Sequence, residues 1–585
     1  MVDVLFVNAQ KEMALAQEVN GTLLLGSKLL QAGFDVEVLR FGQIQSYHQE
    51  YDTFIRDVTD RILEISPRCV SFYTLWPYFH VMLRVAAEVK KRAPHIYTVL
   101  GGPQSSATAK ATMEAMAYID MICTGEGEDT VVPFFHALLR QGGEGLETIP
   151  GLFYRKGGAV VKSEMDMPLC DLETLPRWDE RLYLAAHDKP EPERTRRDYF
   201  MPIDAGRGCP YNCSFCCSSY FWRRTYRLKS PERIVADIRY FHDKFGIRSF
   251  WFSHDAFTTD RRLVSKVCDY IIEQGLDISW RCSARVDCLT EELVLKMKKA
   301  GMTEIEVGIE TGSQRMQKLI HKNLDLHKAR RMISCLLENK LRVSLFFMFG
   351  FPQETEEDLA QTLDLLFSLV DQGVQKADIF FCRFNPTTEL TDRYLDQLVL
   401  DPEIKILSRA IFGYQEELEV IASHRELFPF FYHLDTPLRN EFQYLLYLVY
   451  LYQKFPNSAK YLRGLYGGDD LAFYRDFYRK NSHVFDRGTQ YVLERMEADP
   501  LELFSNMMEG MEQPCIPQLK GLMRFVGDVQ RVTESAEDIT IRDTYSFSIL
   551  DFKSKKPIEA YCVASTEMLV QKVHGKLEMR VLGLG

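Results

Sequence analysis

The sequence predicts an α/β protein with two parallel sheets, followed by a mostly helical C-terminal region. Strands and helices alternate over residues 1–145 and again over residues 198–395, which is typical of parallel sheets covered by helices. Between these regions, residues 146–197 are rich in proline and arginine and are interpreted as a linker. Residues 396–585 show mainly helical spacing and many aromatic side chains.

The first region has the pattern of a doubly wound, Rossmann-like sheet. The predicted strands are Val2–Val7, Phe34–Leu39, Cys69–Tyr73, Tyr97–Leu100 and Ile119–Cys123. The helices predicted between them are Thr22–Gln31, Asp57–Ile65 and Val81–Lys91. Glycine clusters at Gly101-Gly102 and Gly125-Glu126-Gly127 follow the last two strands. Ligands of such sheets bind beyond the carboxyl ends of the strands, where glycine lets the backbone come close, so we expect a ligand there.

Residues 198–395 repeat a strand and a helix six times, which predicts a partial (βα)6 barrel. The predicted strands are Phe200–Asp204, Ser249–Ser253, Ile278–Ser283, Glu304–Ile309, Val343–Phe349 and Asp378–Phe384. Ser230, Thr290 and Thr355 each stand where a hydroxyl can cap the start of a helix. Because the working face of such a barrel is the carboxyl end of its strands, we expect functional groups in the loops that follow them.

The composition restricts the classes of function. With 585 residues the chain exceeds what one hydrophobic core holds, and its net charge of −11 disfavours nonspecific nucleic-acid binding, which needs a basic face. The longest apolar and aromatic run, Phe442–Tyr452, is too short to span a bilayer, so no membrane span is predicted. The N-terminus lacks a signal-peptide pattern and the 14 cysteines do not resemble a disulfide framework, so a cytoplasmic location is expected.

Three cysteines directly after the first barrel strand carry the strongest chemical signal. Cys209, Cys213 and Cys216 have the spacing C-x3-C-x2-C. Thiolates are the usual ligands of iron–sulfur clusters, and three ligands leave one iron open to a small molecule. A structural zinc site wants four ligands, usually in two separated pairs, and no second pair follows in the sequence. Cys217 could supply a fourth thiol by sequence position, but because it is adjacent to Cys216 its geometry as a further ligand is unfavourable. The pattern favours a cluster over zinc or chance.

The cysteine motif and barrel pattern together resemble the radical S-adenosylmethionine (SAM) superfamily. The resemblance implies a [4Fe–4S] cluster on the three cysteines, which binds SAM and cleaves it to a 5′-deoxyadenosyl radical. The SAM contacts that it implies are Phe215, Ser253, Asp255, Arg285 and Glu310. Ser253-His254-Asp255 departs from the family's Gly-Gly-Glu motif, which leaves the role of these residues open. The alternative for Arg285 and Glu310 is a plain salt bridge at the barrel rim.

Segments in front of the barrel resemble the cobalamin-binding domain of one radical SAM subclass. The implied cobalamin contacts are Ser71, Thr74, Trp76, Gly101, Gly102, Gly125, Glu126 and Gly127. Residues 1–150 lack the Asp-x-His-x-x-Gly motif whose histidine ligates cobalt, which implies cobalamin without a histidine ligand. Trp76 is interpreted either as a cover for the lower cobalt face or as an ordinary buried aromatic. The alternative for the whole domain is a degenerate flavodoxin-like fold that binds nothing.

Together the two resemblances imply a cobalamin-dependent radical SAM methyltransferase, in which methylcobalamin methylates an unactivated carbon. The carboxyl ends of both sheets are then expected to face a shared substrate. A cyclase or rearrangement enzyme without methyl transfer is one alternative, and an iron–sulfur redox sensor is another. The implied SAM contacts favour an enzyme over the sensor. A methylthiotransferase is disfavoured because the N-terminal region has no second cysteine triad.

The implied partners are a substrate, which is a small molecule or a peptide, and an electron donor such as flavodoxin or ferredoxin. Tyr220 beside the cysteine motif and Cys382 at the end of the sixth strand are candidate hydrogen donors, with structural roles as the alternative. Residues 396–585 are interpreted as a substrate-side cap, with dimerisation or stabilisation as the alternative. Short strands are predicted near the end, at Ser546–Leu550 and Leu577–Val581.

Overall fold

A computed structural model shows a mixed α/β chain, as predicted. The residues that it describes are 2–9, 19–46, 50–165, 169–185, 200–400, 412–454, 456–485, 500–509, 540–545, 566–573 and 576–584. The chain divides into two compact units. The first comprises Met1–Glu310, Gln314–Phe346 and Phe381–Thr436, and the second comprises Thr311–Ser313, Phe347–Phe380 and Pro437–Gly585.

The N-terminal region is a doubly wound sheet with the order β2-β1-β3-β4-β5-β6-β7. Its strands are β1 Val4–Asn8, β2 Val36–Arg40, β3 Cys69–Tyr73, β4 Tyr97–Gly101, β5 Met121–Cys123, β6 Leu152–Lys156 and β7 Ala159–Lys162. Its helices are α1 Val19–Gln31, α2 Tyr51–Ile65, α3 Phe79–Arg92, α4 Pro103–Ala115 and α5 Val131–Arg140, and α6 Glu180–Ala185 follows. Strands β1 to β5 pair in parallel, which agrees with the Rossmann-like pattern in the sequence.

Part of the predicted linker belongs to this sheet. Strands β6 and β7 pair antiparallel with each other, and β6 pairs antiparallel with β5. Gly157 and Gly158 join the two strands with φ values of 59° and 86°, as in the two-residue turns that match the twist of a hairpin. Leu152 and Tyr154 are buried on one face of β6. The glycine pair was therefore a hairpin signal within a segment that its composition suggested to be irregular. The linker residues 186–197 lie outside the described residues.

The second region contains a six-stranded sheet with the order β15-β14-β13-β12-β11-β8, which forms the predicted partial barrel. The strands of this sheet are β8 Met201–Asp204, β11 Ser249–Ser253, β12 Ser279–Ala284, β13 Met302–Glu310, β14 Arg342–Phe349 and β15 Lys376–Phe381. A short antiparallel ribbon, β9 Gly206–Arg207 with β10 Arg227–Leu228, follows the first of them. The helices are α7 Ser218–Phe221, α8 Pro231–Phe245, α9 Arg261–Glu273, α10 Glu291–Lys299, α11 Gln314–Leu319, α12 Leu326–Glu338, α13 Glu356–Asp371 and α14 Glu389–Tyr394.

Side-chain caps begin the helices of this region where the sequence predicts them. The hydroxyl of Ser230 accepts a hydrogen bond from a backbone N–H at the start of α8, and Thr290 does the same for α10. Thr355 forms a capping box with Asp358 at the start of α13. A cap of this kind contributes about 1 kcal/mol to helix stability, so the caps help to fix where each strand ends and its loop begins.

The C-terminal region is mostly helical but ends in a sheet. Its helices are α15 Leu418–Ser423, α16 Pro437–Glu441, α17 Leu445–Lys454, α18 Pro456–Gly464, α19 Asp470–Phe485 and α20 Pro500–Met507. Its strands are β16 Leu398–Leu400, β17 Tyr432–Leu434, β18 Thr540–Tyr545, β19 Thr566–Val573 and β20 Lys576–Leu584, and the last three form an antiparallel sheet. The predicted strand Leu577–Val581 lies within β20, whereas Ser546–Leu550 lies outside the described residues. Among the helices described, none is long and apolar enough to cross a membrane.

Residues 412–434, here called the return segment, pack against helices of the N-terminal region. The ring of Phe412 lies 5.1 Å from that of Phe54 in α2, measured between centroids. The ring of Phe428 lies 5.5 Å from that of Phe79 at the start of α3. These four aromatic side chains come from parts of the sequence that are more than 300 positions apart. The hydrophobic core of the N-terminal region is therefore completed by residues that follow the barrel.

Candidate active site

A cavity of about 570 Å³ lies at the carboxyl ends of strands from both parallel sheets. The N-terminal sheet contributes residues of β1, β3 and β4 and of the loops that follow β3, β4 and β5, among them Phe6, Ser71, Tyr73, Trp76, Gly101, Gly102, Gly125, Glu126, Gly127 and Glu128. The barrel contributes residues at and after the ends of β8, β11 and β12, among them Asp204, Arg207, Ser253, His254, Asp255 and Ser283. The two working faces that the sequence predicts thus open into one space.

Seven of the eight residues predicted to contact cobalamin line this cavity, and the exception is Thr74. Thr74 is fully buried behind the wall, where its hydroxyl donates to the carbonyl oxygen of Gly101 at 2.9 Å. The same hydroxyl accepts a hydrogen bond from the backbone N–H of Ser105 at 3.0 Å. Thr74 therefore holds the end of β3 against the start of α4 and shapes the glycine loop from behind.

The glycines of the first loop leave room for a large ligand. A Cβ atom on Gly101 would meet nothing within 4 Å, so the backbone there borders open space. Gly102 has a φ of 101°, and a Cβ atom would lie 2.8 Å from the carbonyl oxygen of Thr74. Glycine is therefore required at the second position by both conformation and space. Trp76 begins a short 3-10 turn on the same wall, so an aromatic side chain is available to cover one face of a flat ligand. These residues fit cobalamin.

The cysteine loop, residues 208–217, directly follows β9 and lies between the two strands of the β9–β10 ribbon. Cys209, Cys213 and Cys216 are partly buried free thiols, and the N–H of Cys216 donates to the carbonyl of Cys213 at 3.1 Å. Burial raises the pKa of all three thiols. Thiols whose pKa is raised by burial become thiolates only beside positive charge, which iron supplies when it binds. The residues fit an iron–sulfur cluster.

Two neighbours of the triad differ from it in position. Cys217 lines the cavity and precedes helix α7, and burial raises the pKa of its thiol to about 12. Phe215 is half-buried within the cysteine loop. Cys217 thus occupies the cavity wall, a place where a thiol can touch a bound molecule.

Arg285 lies directly beside the cysteine loop. Its Nη1 is 4.0 Å from the Sγ of Cys213, and its guanidinium stacks on the ring of Tyr211 at 3.7 Å. Two hydrogen bonds to the carboxylate of Asp287, at 3.1 and 3.0 Å, fix the orientation of the guanidinium. A further bond joins Nη2 to the carbonyl oxygen of Lys322 at 2.9 Å. Arg285 therefore does form a salt bridge at the barrel rim, and that bridge aims its charge at the cysteine loop.

Glu310 forms a buried ion pair with Lys322, a residue that sequence reasoning missed. The Nζ of Lys322 lies 2.9 Å from the Oε1 of Glu310. Burial alone would lower the pKa of Lys322, but the charge of Glu310 raises it above its usual value. Glu310, His321 and Asn323 all have left-handed φ values, between 56° and 69°. Such strain in non-glycine residues is held in place by surrounding structure and is concentrated at functional sites.

The segment that follows β11 is joined to helix α7 by a hydrogen bond. The hydroxyl of Ser218 donates to Asp255 at 2.5 Å, which fixes a carboxylate in the cavity wall. The Nδ1 of His254 accepts a hydrogen bond from the N–H of Ala256 at 2.9 Å. Burial lowers the pKa of His254 to about 4, so the ring is neutral at pH 7. This segment presents Ser253, a neutral imidazole and a carboxylate to the cavity.

The two candidate hydrogen donors lie elsewhere. Tyr220 is 55% exposed at the end of helix α7, and Cys382 is buried just after β15. Arg207 and Arg227 of the ribbon, which contact Glu128 and Glu126, were not predicted as site residues. Nothing in the sequence pairs these arginines with those acids, although Arg207 stands two residues before the first cysteine.

Family models agree with this geometry. Residues 203–366 match the radical SAM superfamily, and residues 18–134 match the B12 binding domain. The chain is therefore an enzyme with a radical SAM domain and a B12 binding domain, and the cofactors of these two domains are a [4Fe–4S] cluster with SAM, and cobalamin.

The relatives of this chain are named for different activities. An uncharacterized methyltransferase of Pyrococcus horikoshii is 29% identical over 340 residues, which are 58% of this chain and 70% of the relative. The anaerobic magnesium-protoporphyrin IX monomethyl ester cyclase of Rubrivivax gelatinosus is 27% identical over 52% of this chain and 55% of its own. The solved structure of OxsB, a cobalamin-dependent SAM radical enzyme with aqua-cobalamin and SAM bound, has a TM-score of 0.57. It shares 14% identity and covers 92% of this chain and 82% of its own, which is a likeness of fold.

Proposed function

We propose that this enzyme is a methyltransferase that acts on an unactivated carbon of a small molecule or a peptide. The observation that carries the proposal is the single cavity lined by the carboxyl ends of both sheets. Together the cofactors supply a radical that removes a hydrogen atom and a methyl group that replaces it. Both reactions need the same substrate carbon within reach, and one shared cavity meets that need.

The cysteine loop and the barrel rim provide the radical half of the site. Cys209, Cys213 and Cys216 would hold the cluster, and the neighbouring cations Lys322 and Arg285 would balance its negative charge. Arg285, fixed by Asp287, is placed to bind the carboxylate of SAM, because its guanidinium already points at the cysteine loop. The remaining SAM contacts in this proposal are Phe215, Ser253, Asp255 and Glu310.

The loops of the N-terminal sheet provide the cobalamin half. Gly101, Gly102 and the backbone of residues 125–127 border the cavity and allow close approach of a large ring. Trp76 covers the lower face of that ring in this proposal. The carboxylate of Glu126 is engaged by Arg227, so this residue offers its backbone to the cofactor.

The electron for the radical comes from a separate donor in this proposal. The surface directly after the cysteine loop carries Tyr220, Arg223 and Arg224, all exposed. Among the described residues, no carboxylate lies within ion-pair distance of either arginine. A pair of free cations on an acidic chain favours a negatively charged partner, such as an acidic flavodoxin or ferredoxin.

A cyclase or rearrangement enzyme is the second candidate, and the likeness to the Rubrivivax cyclase favours it. The two candidates differ in whether the methyl group of SAM leaves for the corrinoid. The test is anaerobic incubation of the chain, loaded with iron–sulfur cluster and hydroxocobalamin, with methyl-labelled SAM and a strong reductant. Methyl transfer predicts stoichiometric label in the extracted corrinoid. A corrinoid without label, together with 5′-deoxyadenosine formation, would sink the methyltransferase proposal and leave the second candidate.

A further inference from the structure

Two ion pairs connect the loop after β5 to the β9–β10 ribbon. A carboxylate oxygen of Glu128 lies 2.5 Å from a guanidinium nitrogen of Arg207. Glu126 contacts the guanidinium of Arg227 in the same way, through both carboxylate oxygens. Arg207 and Arg227 are direct cross-strand partners in the ribbon. The two acids therefore engage the two side chains of one cross-strand pair in the ribbon, and we call this arrangement the double clamp.

The double clamp is largely buried, and among the described residues Oε2 of Glu128 and Nε of Arg227 have no hydrogen-bond partner. The side chains of Glu126 and Glu128 are 3% and 5% exposed. Glu126 also accepts a hydrogen bond from the N–H of Cys170 at 2.8 Å, and Arg227 donates to the carbonyl of the same residue at 2.8 Å. Glu126, Glu128 and Cys170 are close enough together to hold a metal ion, but the two arginines already neutralise the acids. The cluster of acids is therefore a clamp and carries no metal in our interpretation.

Each side of the double clamp leads directly to a different cofactor loop. On one side, Gly125 and Gly127 alternate with the two acids and line the cavity. On the other side, Arg207 is separated from Cys209 only by Gly208, which has a φ of 86°. A Cβ atom on Gly208 would collide with the carbonyl oxygen of Thr225, so the ribbon is closely packed where the cysteine loop begins. A shift of either loop would have to break buried ion pairs.

We propose that Glu126, Glu128, Arg207 and Arg227 are positioning residues that fix the cobalamin loop relative to the cluster loop. The physical reason is the asymmetry of buried ion pairs. Such a pair adds little net stability, but separating its partners leaves uncompensated buried charge and is strongly unfavourable. The arrangement therefore selects one relative position of the two loops. This inference concerns geometry and holds for either reaction considered above.

The test measures the magnetic interaction between the two metal centres. The full chain is loaded with cluster and cobalamin, both are reduced to their paramagnetic states, and the spin relaxation of cob(II)alamin is recorded by electron paramagnetic resonance. A nearby cluster accelerates that relaxation in a distance-dependent way. We expect Glu128→Gln and Arg227→Gln to bind both metals but to show weaker, more heterogeneous acceleration than the unmodified chain. Arg207→Lys keeps the charge but loses the planar fork of donors. Its acceleration should lie between that of the unmodified chain and that of the glutamine variants.

Asp120→Asn is the matched control. It removes the carboxylate of an ion pair with Lys90, at 2.6 Å, that lies wholly within the N-terminal region. We expect this variant to lose thermal stability with unchanged relaxation of cob(II)alamin. The proposal is overturned if Glu128→Gln, Arg227→Gln and Arg207→Lys all retain the relaxation of the unmodified chain. If the glutamine variants do not fold, Arg207→Lys decides alone. The readout requires no methyl transfer, so a failure of the proposed reaction and a failure of the double clamp are separate results.

Discussion

The Nζ of Lys322 lies 2.9 Å from the Oε1 of Glu310, and both side chains are buried next to the cysteine loop. The carbonyl oxygen of Lys322 also accepts a hydrogen bond from Arg285. One residue thus connects two predicted SAM contacts, through its side chain to one and its backbone to the other. Gly308 makes room for this pair, because a Cβ atom there would collide with the carboxylate of Glu310.

Substitution of Lys322 should impair SAM cleavage. In Lys322→Met, Glu310 loses its charged partner and no longer presents a fixed carboxylate. A hydrogen bond to a charged group contributes about 1.5–3 kcal/mol, so we expect 5′-deoxyadenosine formation to fall by roughly ten- to 150-fold. Lys328→Met is the control, because Lys328 is exposed on α12. Equal rates for the two variants would contradict a role for the buried pair.

Variants of the individual cysteines should differ in the amount of iron that the chain binds. We expect Cys213→Ser to lose the cluster, with no iron or visible absorption above background after anaerobic reconstitution. Cys217→Ser should keep the bound iron and the visible absorption of the cluster, because Cys217 lies on the cavity wall and is not one of the three predicted ligands. The measurement is iron and sulfide per chain. Retention of a full cluster by Cys213→Ser, or its loss from Cys217→Ser, would show that the triad is assigned incorrectly.

Local sequence patterns predicted the fold well where burial alternates or runs unbroken between turn residues. Strands β3 and β11 have the bounds that the sequence predicts, Cys69–Tyr73 and Ser249–Ser253. Both are short, mostly apolar and buried segments that end at polar or turn-forming residues. The hairpin of β6 and β7 was missed because charged residues and the proline-rich stretch after it outweighed the Gly157-Gly158 signal.

The site residues that were not predicted from the sequence were missed for a different reason. Lys322, Arg207 and Arg227 are charged residues in loops or a two-residue ribbon, where no periodicity marks burial. Their partners are distant in the chain, since Arg227 and Glu126 are 101 positions apart. Charge in a sequence usually indicates an exposed residue, and only the three-dimensional structure shows which charges are buried in pairs.

Trp76 should control access to one face of the corrin ring. If it covers the lower cobalt face, Trp76→Ala opens that face to an added ligand. We expect imidazole at millimolar concentration to change the visible spectrum of bound hydroxocobalamin in Trp76→Ala, with little change in the unmodified chain. Tyr97→Ala, a half-exposed aromatic of the same region, is the control. Identical imidazole titrations for all three proteins would assign Trp76 an ordinary packing role.

His80 should make stability depend on pH. It is buried between α3 and the return segment, donates to the carbonyl of Phe412 at 2.9 Å, and burial lowers its pKa to about 4. Below pH 6.5 the unfolded chain takes up a proton that the folded chain refuses, so stability falls as the pH falls towards 4. At pH 5 the loss is about 2 kcal/mol from this histidine.

Urea unfolding at pH 7.5 and pH 5 measures this effect. We expect His80→Phe to lose less stability between the two pH values than the unmodified chain, by about that amount. His95→Phe is the control, because His95 is exposed. A pH dependence in His80→Phe equal to that of the unmodified chain would exclude His80 as its source.

The two free arginines after the cysteine loop should affect only electron supply. We expect the double variant Arg223→Glu with Arg224→Glu to slow SAM cleavage at least tenfold when an acidic flavodoxin is the reductant. With a small chemical reductant such as dithionite, the rate should be unchanged. Lys298→Glu with Lys299→Glu reverses two exposed neighbouring cations at the end of α10 and serves as the control. An equal loss with dithionite would place the effect in the active site.

The return segment has a consequence for how this chain is made. His80 and Phe412 are 332 positions apart, so a ribosome releases most of the barrel before the apolar faces of α2 and α3 can be covered. At about 5–20 residues per second, the interval between completing the N-terminal sheet and synthesising residue 434 is roughly 15–50 s. During that time the nascent chain exposes Phe54 and Phe79. The N-terminal region is thus a poor candidate for transfer to another protein as an independent module, and chaperone capture of the growing chain is expected at these aromatic residues.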